Sequence, residues 1–438
     1  MKRLTNISIG ILTVFILFML PFVLKAQQQN IDNLRPYDQS GINVFETKKD
    51  PAATFNGVKV RFGAGFTQQF QSLKHSNTTG SPALYPRLAP GFAVAQANLF
   101  TDVQLADGIR LNLTTYLSAR HHNEAWVKGG YLQFDKLPFK GKVWDDIMKV
   151  TTIKVGHMEI NYGDQHYRRS DGGHTLYNPF IENYIMDAFA TEVAGEIYVQ
   201  KNGLLGMFAL SNGLINGGHQ DPIYTGTTTF KRNPSIYAKL AYDKQIQEKV
   251  RVRAAASIYH NNSDGRSTLY GGDRTGSNYF WVMEPSSATS TANAFSGRVN
   301  PGFTNRITAM QLNLFAKAYV FEFFGTFENA KGGTNAEKIA SFDKRSVNQI
   351  ALDGILRLGS KEQVFLGVRY NQLKGKMIAS NSTEQTVNRF AIGGGWFMTK
   401  NILLKGEYVN QDYKDFPTGN ILNGGNFKGI VINAVVGF

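Results

Sequence analysis

The chain has 438 residues, of which 42% are hydrophobic and 18% charged, with 44 glycines, 31 phenylalanines, 19 tyrosines and a formal net charge of +14. It contains no cysteine, which excludes disulfides, thiolate metal sites and acylation at a lipoprotein cysteine. The positive charge is spread along the chain rather than clustered with stacking aromatics, which argues against a nucleic-acid partner.

The first 26 residues differ from the rest. Lys2 and Arg3 precede an apolar run from Ile7 to Leu24, and Ala26 stands before Gln27-Gln28-Gln29. This reads as a secretory signal cut after Ala26; a membrane anchor would be followed by a basic stop-transfer cluster, and none is present. Cleavage removes Lys2, Arg3 and Lys25, so the mature charge is 14 − 3 = +11. Residues 27–56 are polar, carry Pro36 and Pro51, show no period, and read as a periplasmic lead-in.

From Gly57 the hydrophobic period becomes two. Val58, Val60, Phe62, Ala64 and Phe66 alternate with Lys59, Arg61, Gly63, Gly65 and Thr67, which describes a strand with one apolar and one wet face. The pattern returns at Gly91–Leu105, Ile109–Ser118, Glu124–Phe134, Thr152–His157, Thr191–Gln200, Leu204–Asn212, Ser235–Tyr242 and Val250–His260. It continues at Arg306–Tyr319, Phe321–Asn329, Ser346–Gly359, Glu362–Lys374, Gln385–Met398, Ile402–Tyr413 and Phe427–Phe438. Sixteen such segments, joined by tight turns on one side and long loops on the other, predict an all-β, 16-stranded antiparallel transmembrane β-barrel over residues 57–438. A soluble sandwich would need apolar residues on both sides of a dry core, and a propeller would show a repeat. Val143–Lys149 is placed to form a helical turn among the otherwise short connections.

Only a closed barrel satisfies every backbone group of a β-protein in lipid, and sixteen strands leave an aqueous lumen. The wet faces are therefore expected to line a pore. Their basic residues are Lys59, Arg61, Arg110, Lys154, Lys239, Arg251, Arg253, Lys317, Arg357, Arg369, Arg389 and Lys405. Their acidic residues are Asp102, Glu192, Glu196, Glu322, Glu328, Asp353 and Glu407. The balance leans toward anions, as rings of Arg or Lys do in pores.

The most informative stretch is Thr151 to Gln200. Two short strands flank Met158–Ala190, a connection rich in Gly, His, Arg, Tyr and Asn and too long to be an idle loop. It is expected to fold into the barrel as a constriction. Arg168 and Arg169, with His166 and Tyr167 beside them, would present guanidinium forks to carboxylate or phosphate; an ion pair with wall acids such as Glu192 or Glu196 would instead make them loop anchors. His121, His122, His157, His166 and His174, with Glu159, match no metal-ligand spacing. No nucleophile elbow, Walker motif or cysteine nucleophile occurs, and no cofactor is implied.

The segment GHMEINYGDQHYRRSD, with Val155-Gly156, Tyr162-Gly163 and then Asn178-Pro179-Phe180, resembles the phosphate-selective porin family in the form found in Bacteroidetes envelopes. That resemblance implies a sixteen-stranded, often trimeric outer-membrane barrel passing small anionic or neutral solutes passively. The family's phosphate ladders do not align onto this chain. The loop acids Asp164, Asp171, Glu182 and Asp187 dilute a basic eyelet. A plugged barrel that serves as an envelope scaffold or interaction protein is the reading from a different class.

Overall fold

A computed structural model describes residues 31–49, 55–80, 82–86, 88–93, 95–118, 124–213, 219–263, 266–273, 275–290, 292–293, 295–379 and 383–438. The expected signal sequence, the junction after Ala26, and His121 and His122 lie outside the described residues.

The alternating segments form sixteen long strands. They are β1 Lys59–Ser76, β2 Gln96–Ala106, β3 Ile109–Ser118, β4 Glu124–Phe134, β5 Thr151–Glu159, β6 Thr191–Lys201, β7 Leu204–Ser211 and β8 Ser235–Gln247, followed by β9 Val250–Asn261, β10 Arg306–Ala318, β11 Phe321–Gly333, β12 Arg345–Leu358, β13 Val364–Gly375, β14 Gln385–Thr399, β15 Ile402–Lys414 and β16 Asn426–Gly437. Every strand pairs antiparallel with its neighbour in sequence, and β16 pairs with β1 from Gly65↔Gly437 to Ser76↔Asn426, which closes the barrel. Phe438 extends this seam by exchanging two backbone hydrogen bonds with Ala64. The second strand is shorter than its periodicity suggested. A two-residue stub, Gly91–Phe92, is separated from β2, although both pair with β1. The helical turn appears as α1, Lys142–Met148, and a second short helix, α2, spans Asn335–Ile339.

The apolar row of each strand faces outward, where Phe62, Leu240, Leu312, Leu366, Trp396 and Ile430 are exposed for contact with lipid. The turns on one side are tight. At Lys201–Leu204 both turn residues, Asn202 (φ 53°) and Gly203 (φ 87°), adopt the left-handed conformation that a two-residue hairpin requires. This short-turn end is the periplasmic end of such a barrel.

The lumen departs most from expectation. Three irregular segments fill it: residues 31–49, the loop 160–190, and residues 267–273, 275–283 and 296–299 of the loop after β9. Of the expected lead-in, residues 31–49 form a strap across the short-turn mouth, where Lys49 donates to Asp135 O and Asn43 to Glu322. Thr47 Oγ1 donates to Asn33 O (3.0 Å), joining the two ends of the strap. Its far tip reaches the opposite turns, where Gln39 N donates to Lys400 O (2.8 Å) and Gln39 Nε2 to Lys361 O (3.0 Å). In the upper half of the lumen the inward wall positions are Leu73, Val347, Leu373, Val387, Val409 and Val431, and they pack with Ile181, Ile185, Met186, Tyr279 and Val282 of the two loops. The wet face thus becomes a dry core towards the long-loop end.

The loop 160–190 lies against the wall at two close approaches, one at Gly173 in the loop and one at Gly65 in β1. A Cβ on Gly173 would stand 2.3 Å from Ala97 Cα, and one on Gly65 would stand 2.5 Å from His174 Cβ. Gly173→Val should therefore prevent docking of the loop while leaving the barrel able to close. Limited proteolysis of the folded, heat-modifiable protein checks this: cleavage within 160–190 should rise sharply over the native chain. Unchanged protection would show that the close approach is dispensable.

Candidate functional site

Irregular backbone enclosed by a barrel must still satisfy its N–H and C=O groups. Here wall side chains do so. Lys405, 1% exposed, donates to the carbonyls of Thr175 (2.7 Å), Asn178 (2.8 Å) and Phe180 (2.8 Å), using all three ammonium hydrogens. Asn371 Oδ1 accepts from Ile185 N (2.7 Å), Gln349 Oε1 from Met186 N (2.9 Å) and Glu407 Oε2 from Ile181 N (3.0 Å). Arg369 forks onto Asp353 (2.6 and 2.8 Å) and donates to Glu182 O (2.8 Å), with Phe180 packed 4.2 Å from its guanidinium carbon. Arg389 reaches Asn183 O (2.5 Å) and Gly297 O (3.0 Å), tying the two loops together.

The remaining basic wall residues hold the strap, one another's acids, or the turns. Arg253 forks onto Asp164 (2.7 and 2.9 Å) and also donates to Glu46 (2.6 Å). Lys239 contacts Asp164 (3.1 Å), Glu46 (3.3 Å) and Gly163 O (2.7 Å). Arg61 binds Asp102 (2.6 Å) and Arg35 O (3.0 Å), and Arg251 forks onto Asp243 while donating to Asn43 O (3.0 Å). Arg110 pairs with Asp135 (2.5 Å), Lys317 with Glu362 (2.5 Å) and Arg357 with Glu322 (2.5 Å). Lys59 lies half-buried at the lower end of β1. The loop acids that were expected to dilute an eyelet are also paired: Asp187 with Arg169 (2.5 Å) and Glu182 with Arg298 (2.8 Å).

Arg168 and Arg169 are loop residues at 3% and 4% exposure, and their acids are not Glu192 or Glu196. Arg168 pairs with Glu322 (2.8 Å) and with Asn43 of the strap. Arg169 pairs with Asp187 and lies 3.5 Å from Asp273. Glu192 accepts from Tyr259 (2.8 Å) and Ser211, and Glu196 from Tyr198 (2.5 Å) and Tyr237 (2.9 Å).

What remains open lies to one side, between the strap and loop and the wall formed by β3 to β6. A cavity of about 250 Å³ is bounded there on the wall side by Lys128, Tyr131, Gln133, Lys154, Glu196 and Tyr198. Arg35, Tyr37, Glu46, His166, Tyr167, Arg169 and Asp171 bound its inner side. At roughly 30 Å³ per water it has room for about eight waters. Below it, a space of about 20 Å³ shares Asn33, Gln133 and Lys154 with it, and a further cavity of about 350 Å³ opens beside Lys49, Arg110, Asp135 and Trp144. Asn33 borders all three, and Lys49 stands at the neck, donating to Asp135 O (2.8 Å). Of the expected cations, Lys154 and Arg169 border the upper cavity, as do His166 and Tyr167, and Arg110 borders the lower one. The ammonium of Lys154 sits between the rings of Tyr131 (5.1 Å) and Tyr198 (5.0 Å).

The sequence reading missed Lys128. The β3–β4 register slips between Thr114 and Thr115, which leaves Lys128 as an extra residue turned inward onto Asp171 and Asp273. The signal was present as Gly129-Gly130 inside an alternating run, the composition of a bulge. The strap residues Arg35, Tyr37 and Glu46 were missed because nothing local marks them.

Asp171 is a titratable group bordering this path, its side chain 27% exposed. Burial, and secondarily the nearby Asp273 carboxylate, push it up to about 7 against the pull of Lys128. It is charged above neutrality and protonated below, so the path loses a negative charge as pH falls. His174, buried with Nε2 donating to Tyr37 O (2.7 Å), is pulled down to about 4 by that burial and stays neutral in the same range.

No protein-family model and no curated protein matches the sequence. Solved structures match it in fold. An anion-selective porin from Comamonas acidovorans gives a TM-score of 0.52 at 11% identity, over 87% of this chain and 100% of that one. The trimer form of the outer-membrane protein OmpT of Vibrio cholerae gives 0.51 at 10% identity, over 87% and 100%. The OmpF complex of Salmonella typhi with daunomycin gives 0.50 at 12%, over 88% and 99%. The chain therefore has the fold of the outer-membrane porins.

If the lateral path carries ions, chloride preference in bilayer recordings should increase as pH is lowered from about 8 to about 5, through the raised pKa of Asp171. Asp171→Asn should flatten that dependence and hold the low-pH preference throughout. A native profile that does not change with pH would place Asp171 off the path.

Proposed function

We propose that the chain is an outer-membrane channel through which small hydrophilic solutes diffuse passively, and that they pass along the side of the lumen bounded by β3 to β6. One observation carries the reading: beside loops packed against the wall as a dry core, a polar, aromatic-lined path runs between the strap and loop and the wall of β3 to β6. A mild anion preference is assigned to Lys154, with Arg169 beside it and Arg168 serving as an anchor. The other basic wall residues are matched by acids or carbonyls and add little net field inside the lumen. Phosphate as the favoured anion rests on the resemblance of Val155–Phe180 to the phosphate-selective porins. Assembly as a homotrimer in the outer membrane follows the same analogy.

The dry contact between the loop 160–190 and the loop after β9 favours a second reading, a plugged barrel that presents its long loops to an envelope partner. Planar-bilayer conductance of the refolded mature chain across a KCl gradient decides between them. Conductance steps with a chloride-favouring reversal potential support the channel; a folded but silent barrel supports the plug.

Two variants refine the outcome. Lys154→Glu should lower the chloride-to-potassium permeability ratio roughly threefold by reversing the charge at the narrowest part of the path. Glu46→Ala with Asn43→Ala removes the strap's partners for Arg253, Lys239 and Arg168; breaking a buried pair costs about 3–5 kcal/mol. Single-channel conductance should become larger and noisier in that variant. Conductance equal to the native value would mean that the strap does not limit passage.

A further inference from the structure

The outward face of the barrel is not uniform. Just above the apolar belt, lysines gather on one sector, formed by β11 to β16 and β1. Lys331, Lys374, Lys414, Lys428 and Lys74 are all exposed there, each alternating along its strand with inward residues such as Leu373, Tyr413, Phe427 and Leu73 that are fully or almost fully buried. Lys374 lies ten residues above Val364 on β13, which in a tilted strand spans about 25 Å, the height of the apolar belt. Among the described residues, the outward positions near the corresponding ends of β3, β6, β7 and β8 are Leu117, Val193, Leu210 and Ile236, so the lysines are confined to one side.

The register makes this more than a scatter of surface charge. Lys74 and Lys428 stand directly opposite each other across the seam between β1 and β16. Like charges placed so destabilise a strand pair unless an anion lies between them. Lys374 and Lys414 flank Thr386 on either side of β14. In register between the Lys374–Lys414 pair and the Lys428–Lys74 pair runs a polar row: Gln372 Nε2 donates to Asn388 Oδ1 (2.8 Å), and Asn388 is followed across the sheet by Asp412 and Asn426. Two acids temper the patch, Asp412, which accepts from Asn426 (2.8 Å), and Glu384, 3.6 Å from Lys374.

We propose that this sector binds a phosphorylated glycolipid of the outer leaflet. The opposed Lys74 and Lys428 and the Lys374–Lys414 pair would take the phosphates, and the polar row would meet the sugar hydroxyls. The site faces lipid and is independent of whether the lumen conducts.

The test uses the folded full chain in mild detergent, with native mass spectrometry counting bound lipid. The probes are a bisphosphorylated diglucosamine lipid, its dephosphorylated form, and phosphatidylglycerol. The variant is Lys74→Gln/Lys374→Gln/Lys414→Gln/Lys428→Gln, with folding checked by heat-modifiable migration. If it does not fold, Lys74→Gln/Lys428→Gln takes its place. The native chain should retain the bisphosphorylated lipid about tenfold better than the variant, as the loss of several lysines near an anionic surface implies. It should also prefer that lipid over both the dephosphorylated form and phosphatidylglycerol. Equal retention by native chain and variant would overturn the proposal, as would phosphatidylglycerol binding as well as the glycolipid.

Discussion

The rest of this structure depends on the need to satisfy irregular backbone inside a closed sheet. Lipid outside offers no partner, and the dry upper lumen offers no water, so each loop N–H and C=O must meet a side chain from the wall. Lys405 against the carbonyls of Thr175, Asn178 and Phe180 shows the principle most directly. Asn371, Gln349 and Glu407 do the same for three amides of the loop. Inward polar residues that alternate with lipid-facing ones therefore act first as the hydrogen-bonding surface that holds the loops.

This explains why the wall can carry so many charges around a lumen largely occupied by the strap and two loops. A buried charge is tolerated when it is paired and its remaining hydrogens are used. Arg253 shows how: Asp164 comes from the loop, Glu46 from the strap, and the guanidinium joins them. Arg168 joins the same two segments to β11 through Asn43 and Glu322. The charges therefore determine which segments meet, and the field left over for a solute is that of the few groups bordering the lateral path.

Much of the fold was legible in the sequence because strand parity is a local property. An apolar residue at every second position, punctuated by Asn-Gly and Asp-Gly turns, placed most of the sixteen strands within about two residues of their observed limits, although β2 begins at Gln96 rather than Gly91 and β8 runs on to Gln247 rather than ending at Tyr242. The inward loop was legible from its length and its glycines. The strap was not, because Tyr37, Asn43 and Glu46 find their partners at Asp102, Glu322 and Arg253, and no period links positions so distant. Arg61, Lys239, Arg357 and Arg389 are buried on the inward side of their strands. What they face there was beyond a count of residue types, which cannot show that a strap and two loops occupy the space. Lys128 was hidden by a bulge that shifts parity for a single residue.

The strap also bears on how such a molecule is assembled. Its two ends meet where Thr47 donates to Asn33, both at the short-turn mouth, and only its tip crosses to Lys361 and Lys400. Both limbs of the described strap therefore lie at the same mouth. A barrel sealed by its last strand against its first must be complete before its lumen has fixed walls. A loop of this shape can be pushed in afterwards through the mouth, or withdrawn the same way, without undoing any strand pair. The topology allows the order of events to be cylinder first and contents second.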